Sequence, residues 1–273
     1  MRRRIVAPAI AVLVAAAMAA ANAGSANGTG GPAGANAGPP YDFVTELMGV
    51  PGGAVPLKNK AILEKTNLGY RFRAGQQNGH LVVTRVTGGL RFVDRGTDTW
   101  KRRTPACNRQ QVERGIAAVC RLPRDITVRW PLLVEVWPRL GDDYTNTSTL
   151  PATFAVTVLG DKGRDVARFG AGPDFFNGFS SRDRVWGGGG NDWIRPGLGN
   201  DAVTGGAGND DIVAREGRDT IRGGSGDDRL WGGPGNDRLL AGAGTDFALC
   251  GTGRDRARVG AGDRAARNCE AVI

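Results

Sequence analysis

Histidine is almost missing from this 273-residue chain: there is one, His80. A single histidine excludes the HExxH arrangement of zinc hydrolases, and no GxSxG turn is present to seat a nucleophilic serine. A Ser-His-Asp site would have to use His80, which follows Asn78-Gly79 at the entry to a strand-like run and reads as a surface residue. Asp142 and Asp143 are adjacent carboxylates, yet they sit in a turn rather than across a cleft. The chain is therefore expected to be non-enzymatic. Cysteine is sparse too, with Cys107, Cys120, Cys250 and Cys269 and no CxxC pair, which argues against a structural zinc site. Lysine is scarce: five of the 36 basic residues. Beyond the first twenty residues no apolar run is long enough to cross a bilayer.

What is there begins with Met1-Arg2-Arg3-Arg4, an apolar run from Ile5 to about Ala20, and Ala21-Asn22-Ala23. Basic start, short apolar stretch and small-x-small site together predict a secretory signal peptide over 1–23. Residues 24–40 are nearly all Gly, Ala, Asn and Pro and are expected to be a disordered leader. In an exported chain an even cysteine count predicts disulfides. Local pairing, Cys107–Cys120 and Cys250–Cys269, is favoured among the three connectivities. The net charge of +9 divides unevenly. Residues 1–23 hold +3, residues 24–159 hold 17 basic against 10 acidic side chains, residues 160–258 hold 14 against 15, and the last fifteen balance. The excess thus falls on 24–159, either as a solvated surface or as a face for an anionic polymer.

From residue 160 the chain divides into nines: GDKGRDVAR, FGAGPDFFN, GFSSRDRVW, GGGGNDWIR, PGLGNDAVT, GGAGNDDIV, AREGRDTIR, GGSGDDRLW, GGPGNDRLL, AGAGTDFAL, CGTGRDRAR. Position six is Asp in all eleven, position four is Gly except at Ser181, and position eight is apolar throughout. Glycines at one, two and four allow a tight turn that exposes carbonyl oxygens, and the Asp adds a hard anionic oxygen. Calcium takes six to eight such ligands and tolerates irregular geometry, whereas magnesium demands a near-octahedral shell. Positions seven to nine read as a short strand with the residue at eight turned inward.

These lines resemble the RTX (repeats-in-toxin), or hemolysin-type, calcium-binding repeat GGxGxDxUx, with 187–195, 205–213, 223–231 and 232–240 matching it almost fully. The resemblance implies an all-β fold, a right-handed parallel β-roll in which two nonapeptides make one coil, with several Ca2+ ions between turns stacked on the same edge. Asp174, Asp192, Asp210, Asp228 and Asp246 then share a first edge, and Asp165, Asp183, Asp201, Asp219, Asp237 and Asp255 a second. Position five is Arg in four of the six second-edge turns (Arg164, Arg182, Arg218, Arg254) and in none of the first. The first edge is therefore the expected calcium ladder, strongest around Asp192, Asp210 and Asp228, with the arginines neutralising their neighbours on the second. Asp201 and Asp237 are the second-edge candidates. One apolar residue per nine makes a thin core, so the array is expected to order only with calcium.

Residues 65–139 read as a β-rich cap: strands at 81–86 and 90–93 around Thr87-Gly88-Gly89, and shorter ones at 128–130 and 133–137. Leu140-Gly141-Asp142-Asp143 and Thr157–Asp161 look like degenerate entry turns within 140–159, and residues 259–273 a C-terminal cap. Residues 41–64 offer little beyond room for a short helix. Trp186, Trp193 and Trp231 fall at outward positions and are expected to shield the strands. The expected function is that of a secreted, calcium-stabilised structural or adhesive module, a monomer with no nucleic-acid partner and no membrane span once the signal is removed. The alternative is a cell-wall or exopolysaccharide-binding protein using its basic N-terminal part, and a secreted hydrolase ranks below both.

Overall fold

A computed structural model describes residues 59–74, 78–138, 140–265, 268–269 and 271–272. The expected signal peptide, the leader and residues 41–58 lie outside the described residues. No helix occurs among the described residues, and so none is long and apolar enough to cross a membrane.

The nine-residue period becomes a parallel β-solenoid. Alternate repeats feed two sheets, one of eleven and one of twelve strands among the described residues. Within each sheet the register advances by eighteen residues: Phe175 lies beside Trp193 and Trp193 beside Asp211, while Val166 lies beside Arg184 and Arg184 beside Ala202. First-edge turns lead into the eleven-stranded sheet and second-edge turns into the twelve-stranded one. Position eight faces inward in every coil. Phe176, Ile194, Ile212, Leu230 and Ala248 come from one sheet and Ala167, Val185, Val203, Ile221, Leu239 and Ala257 from the other, all at most 2% exposed.

Both sheets run on past the repeats. The eleven-stranded sheet continues through Phe154–Leu159 and Leu132–Trp137 to Gly69–Arg73, still parallel, and then takes Lys60–Lys65 antiparallel. The twelve-stranded sheet continues through Tyr144–Asn146 to His80–Val86, then antiparallel through Gly89–Asp94, Ile116–Cys120 and Cys107–Gln110. Residues 60–137 are thus a direct extension of the solenoid rather than a lid set on it, with Tyr70, Phe72 and Phe92 filling the interior. Val86 and Gly89 close the hairpin around Thr87-Gly88, where Gly88 has φ 83°.

Residues 60–65 form a strand, and the room for a short helix that remains, at 41–58, lies outside the described residues. One expectation needs correction. Val128–Trp130 is not a strand: Thr127 and Trp130 exchange backbone hydrogen bonds at 3.2 Å, and Val128 is left 65% exposed. Pro131 follows and offers no N–H, so the run closes on itself instead of pairing.

Both disulfides are local. Cys107 and Cys120 are register partners on adjacent antiparallel strands. Cys250 joins Cys269, next to short strands at 264–265 and 271–272 that pair with the last coil.

Candidate metal centre

The position-six aspartates lie inside the stack, 0–4% exposed, not on its rim. A buried carboxylate needs hydrogen-bond donors or a cation, and the coil spacing supplies one donor. On the first edge the amide of Asp174 donates to Oδ1 of Asp192, Asp192 to Asp210, Asp210 to Asp228, and Asp228 to Asp246, at 2.8–2.9 Å. On the second edge the same bond runs at 2.8 Å from Asp165 through Asp183, Asp201, Asp219 and Asp237 to Asp255. Each coil is hooked to the next through one carboxylate oxygen.

The other oxygen is left over. Oδ2 of all eleven position-six aspartates, and of Asp143, is buried with no hydrogen-bond partner. At Gly187, Gly205 and Gly223 the space a Cβ would fill is bordered by Oδ2 of Asp192, Asp210 and Asp228 and by the carbonyl oxygens of Gly205, Gly223 and Ala241 in the following coil. An anionic oxygen and a carbonyl oxygen facing one cradle, with no donor for the carboxylate oxygen, form a donor set for a hard cation. No group of three or more His, Cys, Asp or Glu side chains forms a metal cluster among the described residues, so backbone carbonyls have to supply much of any coordination shell.

The energetic consequence shows in the titration of these groups. Burial, the largest cause throughout, pushes Asp192 up to about 10 and Asp183 and Asp143 to about 9. It pushes Asp165, Asp210 and Asp219 to about 7, and Asp201, Asp228 and Asp237 to about 6. Asp174 and Asp246 are raised as well. Neighbouring rungs add to the effect, as the charges of Asp174 and Asp210 do at Asp192. At these rungs burial favours the protonated over the charged carboxyl.

Both edges carry the same aspartate ladder, so the contrast between them lies elsewhere. Arg164, Arg182, Arg218 and Arg254 form no ion pair with a position-six aspartate. Arg164 instead holds Asp142 at 2.7 Å, and only the field of Arg182 at Asp201 favours the ionised form. The expected neutralisation by arginine is corrected accordingly: position five points to solvent, while position six points inward.

The backbone does separate the edges. Among the described residues, Phe179, Ser181 and Arg215 are the non-glycine residues with positive φ, at 69°, 91° and 84°, and all three lie in second-edge turns. Each holds a left-handed conformation at a cost of roughly 1–2 kcal/mol. On the first edge Gly187, Gly205 and Gly223 leave three consecutive cradles open. On the second, Gly160, Gly178 and Gly232 border the same kind of cradle, but Pro196, Ala214 and Cys250 fill the other position-one sites, so no three in a row stay open. An outer ladder is also continuous on the first edge, where Asn191, Asn209 and Asp227 accept in turn from the amides of Asn209, Asp227 and Thr245 at 2.8–2.9 Å.

The ends of the ladders break the nine-residue register. Asp143 accepts from Gly79 and donates to Asp165, twenty-two residues on. Asp263 receives the amide of Asp246 at 2.9 Å, and its second oxygen takes the amide of Gly260 at 2.5 Å, which closes the first edge with a satisfied carboxylate. Gly141 two residues before Asp143 reproduces the four-to-six spacing of the repeat. Gly260-Ala261-Gly262-Asp263 was an equally readable turn that the nine-residue frame passed over.

A parallel β-solenoid threaded by two carboxylate columns defines the class of molecule. A family model for the RTX calcium-binding nonapeptide repeat matches four times, over 159–194, 177–212, 194–221 and 213–248. Residues 159–248 are an array of RTX repeats, a class that binds calcium. No curated protein and no solved structure gives a significant match.

Proposed function

We propose that the chain is a secreted, non-enzymatic structural or adhesive module whose roll is assembled by several calcium ions. The supporting observation is the column of buried Oδ2 atoms without partners, which at neutral pH is unfavourable until a cation meets it. Asp192, Asp210 and Asp228, with the carbonyls that border their cradles, are the primary holders, and Asp174 and Asp246 extend the same edge. Asp201 and Asp237 are weaker sites on the second edge. Calcium would supply positive charge between coils, and the Oδ1 bonds hold each carboxylate with its Oδ2 free to ligate.

Two disulfides favour an oxidising, extracellular setting. The non-enzymatic reading draws on His80, whose ring stacks on Tyr144 at 4.5 Å and whose pKa is lowered by burial and by Arg95. It also draws on Asp142 and Asp143, one tied to Arg164 outside the stack and the other a rung within it.

The test is a calcium titration of the oxidised protein followed by far-UV circular dichroism and an ion count. A cooperative gain of β-signal, reversed by chelator and absent with magnesium, is expected. An unchanged spectrum across the titration would reject the proposal. Equal anomalous calcium density along both edges of a crystal would reject the preference for the first.

A further inference from the structure

Counting charges along 160–258 gives near balance, yet the fold sorts them by sign. Of the 15 acidic residues in that stretch, eleven are position-six aspartates inside the stack, which leaves four: Asp161, Asp211, Glu216 and Asp227. Of the 14 basic residues, Arg195 is buried and the other thirteen are at least partly exposed. The exterior of the roll is therefore cationic, which the near balance of the sequence conceals.

The sorting is sharpest on the twelve-stranded sheet. Its roll strands, from Val166–Arg168 through Arg256–Arg258, contain no Asp or Glu. Their outward positions hold Arg168, Arg184, Arg222, Arg238, Arg256 and Arg258, all exposed and none in an ion pair. Arg238 and Arg256 are direct register partners, an arrangement that costs stability when no anion is near. The opposite sheet does carry acidic partners for its arginines, with Arg71 on Glu135 at 3.0 Å and Arg229 near Asp211 at 3.8 Å.

We propose that the outer face of the twelve-stranded sheet is a docking surface for an acidic polysaccharide. Guanidinium forks match carboxylate and phosphate oxygens in a way that ammonium groups do not, and arginine supplies every cation on this face. Flat rings lie on the same face. Trp186 has the Arg168 guanidinium 4.3 Å above it, and Tyr144 stacks on His80 further along the sheet. Rings set among arginines suit sugar faces bearing anionic groups. A lipid surface fits less well, because the exposed large apolar side chains sit on turns, loops or the other sheet: Val128, Trp130, Leu140, Phe179, Leu198 and Phe247. The docking surface exists only once the roll is folded, so the inference rests on the calcium reading above.

The experiment measures binding of the full, oxidised, calcium-loaded chain to a hyaluronate oligosaccharide, beside anionic phosphatidylglycerol vesicles and duplex DNA. Salt-sensitive binding to hyaluronate is expected. The variant R222Q/R238Q/R256Q/R258Q should bind about tenfold more weakly. K101Q/R102Q/R103Q, in the basic N-terminal part, should bind as the parent does. Calcium-driven circular dichroism on the same samples separates the two failures: no response removes the calcium reading, whereas a normal response without binding removes this one. If the fourfold variant does not fold, R256Q/R258Q on the last coil takes its place, with a loss of about threefold expected. Unchanged binding by the folded arginine variants, loss in the 101–103 variant, or binding confined to vesicles or DNA would each overturn the proposal.

Discussion

Residues 60–137 and the nonapeptide array share two continuous sheets but are held together differently. The first region buries Tyr70, Phe72, Phe92, Leu63, Leu90 and Val134, packs Phe72 edge-on against Trp100 at 6.2 Å, and is stapled by Cys107–Cys120. The second buries the apolar position-eight side chain of each nonapeptide, falling to alanine at both ends, and little else that is apolar beyond Phe169, Ala214, Ala241 and Cys250, with aspartate taking much of the remaining interior. Hydrophobic burial of ~1.5–3 kcal/mol per large side chain can order the first unaided. In the second the same gain faces ~1–2 kcal/mol of backbone entropy per residue and a column of desolvated carboxylates. One chain thus joins a region that is stable by packing to one that is stable by ligand.

Calcium withdrawal should divide the two most sharply. At a free concentration a hundred times its dissociation constant, each occupied site contributes about 2.7 kcal/mol. Removing several should melt the array and leave residues 60–137 folded. Hydrogen exchange read by peptide mass should show full exchange over 160–258 and retained protection at 69–73, 81–86 and 116–120. Concerted loss of both regions would break the contrast.

Next in size is a substitution whose sign depends on calcium. Asp210→Asn keeps Oδ1 as the acceptor for the Asp192 amide but removes the charge at a central rung. With calcium present it should destabilise the roll by about 3 kcal/mol, through loss of an occupied site. Without calcium it should favour order by about 2 kcal/mol, through relief of an unsatisfied buried group. Urea midpoints in the two conditions test this; a loss in both would mean that the carboxylate is paired by something other than a cation.

Protons should partly replace calcium. A raised folded-state pKa means that the fold holds protons that the unfolded chain releases. That stabilisation is fully present below the ordinary value near 4 and disappears as pH rises through the folded values. Those values span about 6 at Asp201, Asp228 and Asp237 to about 10 at Asp192. Protein stripped of calcium by dialysis should therefore gain β-signal between pH 7 and pH 4, and the calcium-loaded protein should not. Residues 60–137, which bury few carboxylates, should show no such gain.

The sequence disclosed the solenoid because a nine-residue period in Gly, Asp and apolar positions has few other structural readings. It also disclosed the inward column from Phe176 to Ala248 and its partner from Val185 to Leu239, since alternation along a three-residue strand decides which side chain turns in. Three features were hidden for physical reasons. The hook from each Asp amide to the next Asp Oδ1 is a contact between coils, and no single repeat contains it. The cationic exterior was hidden because net charge counts buried Asp192 and exposed Arg222 alike. The end rungs Asp143 and Asp263 were obscured because their steps of 22 and 17 residues leave the frame that made the others visible. Val128–Trp130 misled because β-branched and aromatic residues favour a strand only where a partner strand is available.

The most local effects expected come from the two disulfides, and they bear on how far the regions are independent. Cys107–Cys120 spans 13 residues and Cys250–Cys269 spans 19, so loop-closure entropy alone assigns each about 3 kcal/mol. Their reach should differ. Residues 60–137 form a cooperative packed unit, so C107S/C120S should lower its thermal midpoint whether calcium is present or not. A solenoid is held mainly by nearest-neighbour contacts, so C250S/C269S should fray only the terminal coil. That coil is where Asp263 caps the first edge and Cys250 occupies a position-one site. Calcium affinity at the central rungs should then stay within about twofold, with faster exchange confined to residues beyond about 240. If C250S/C269S instead weakens calcium binding across the whole array, the roll is ordered from its C-terminal end inward, and the last coil matters as much as the three open cradles.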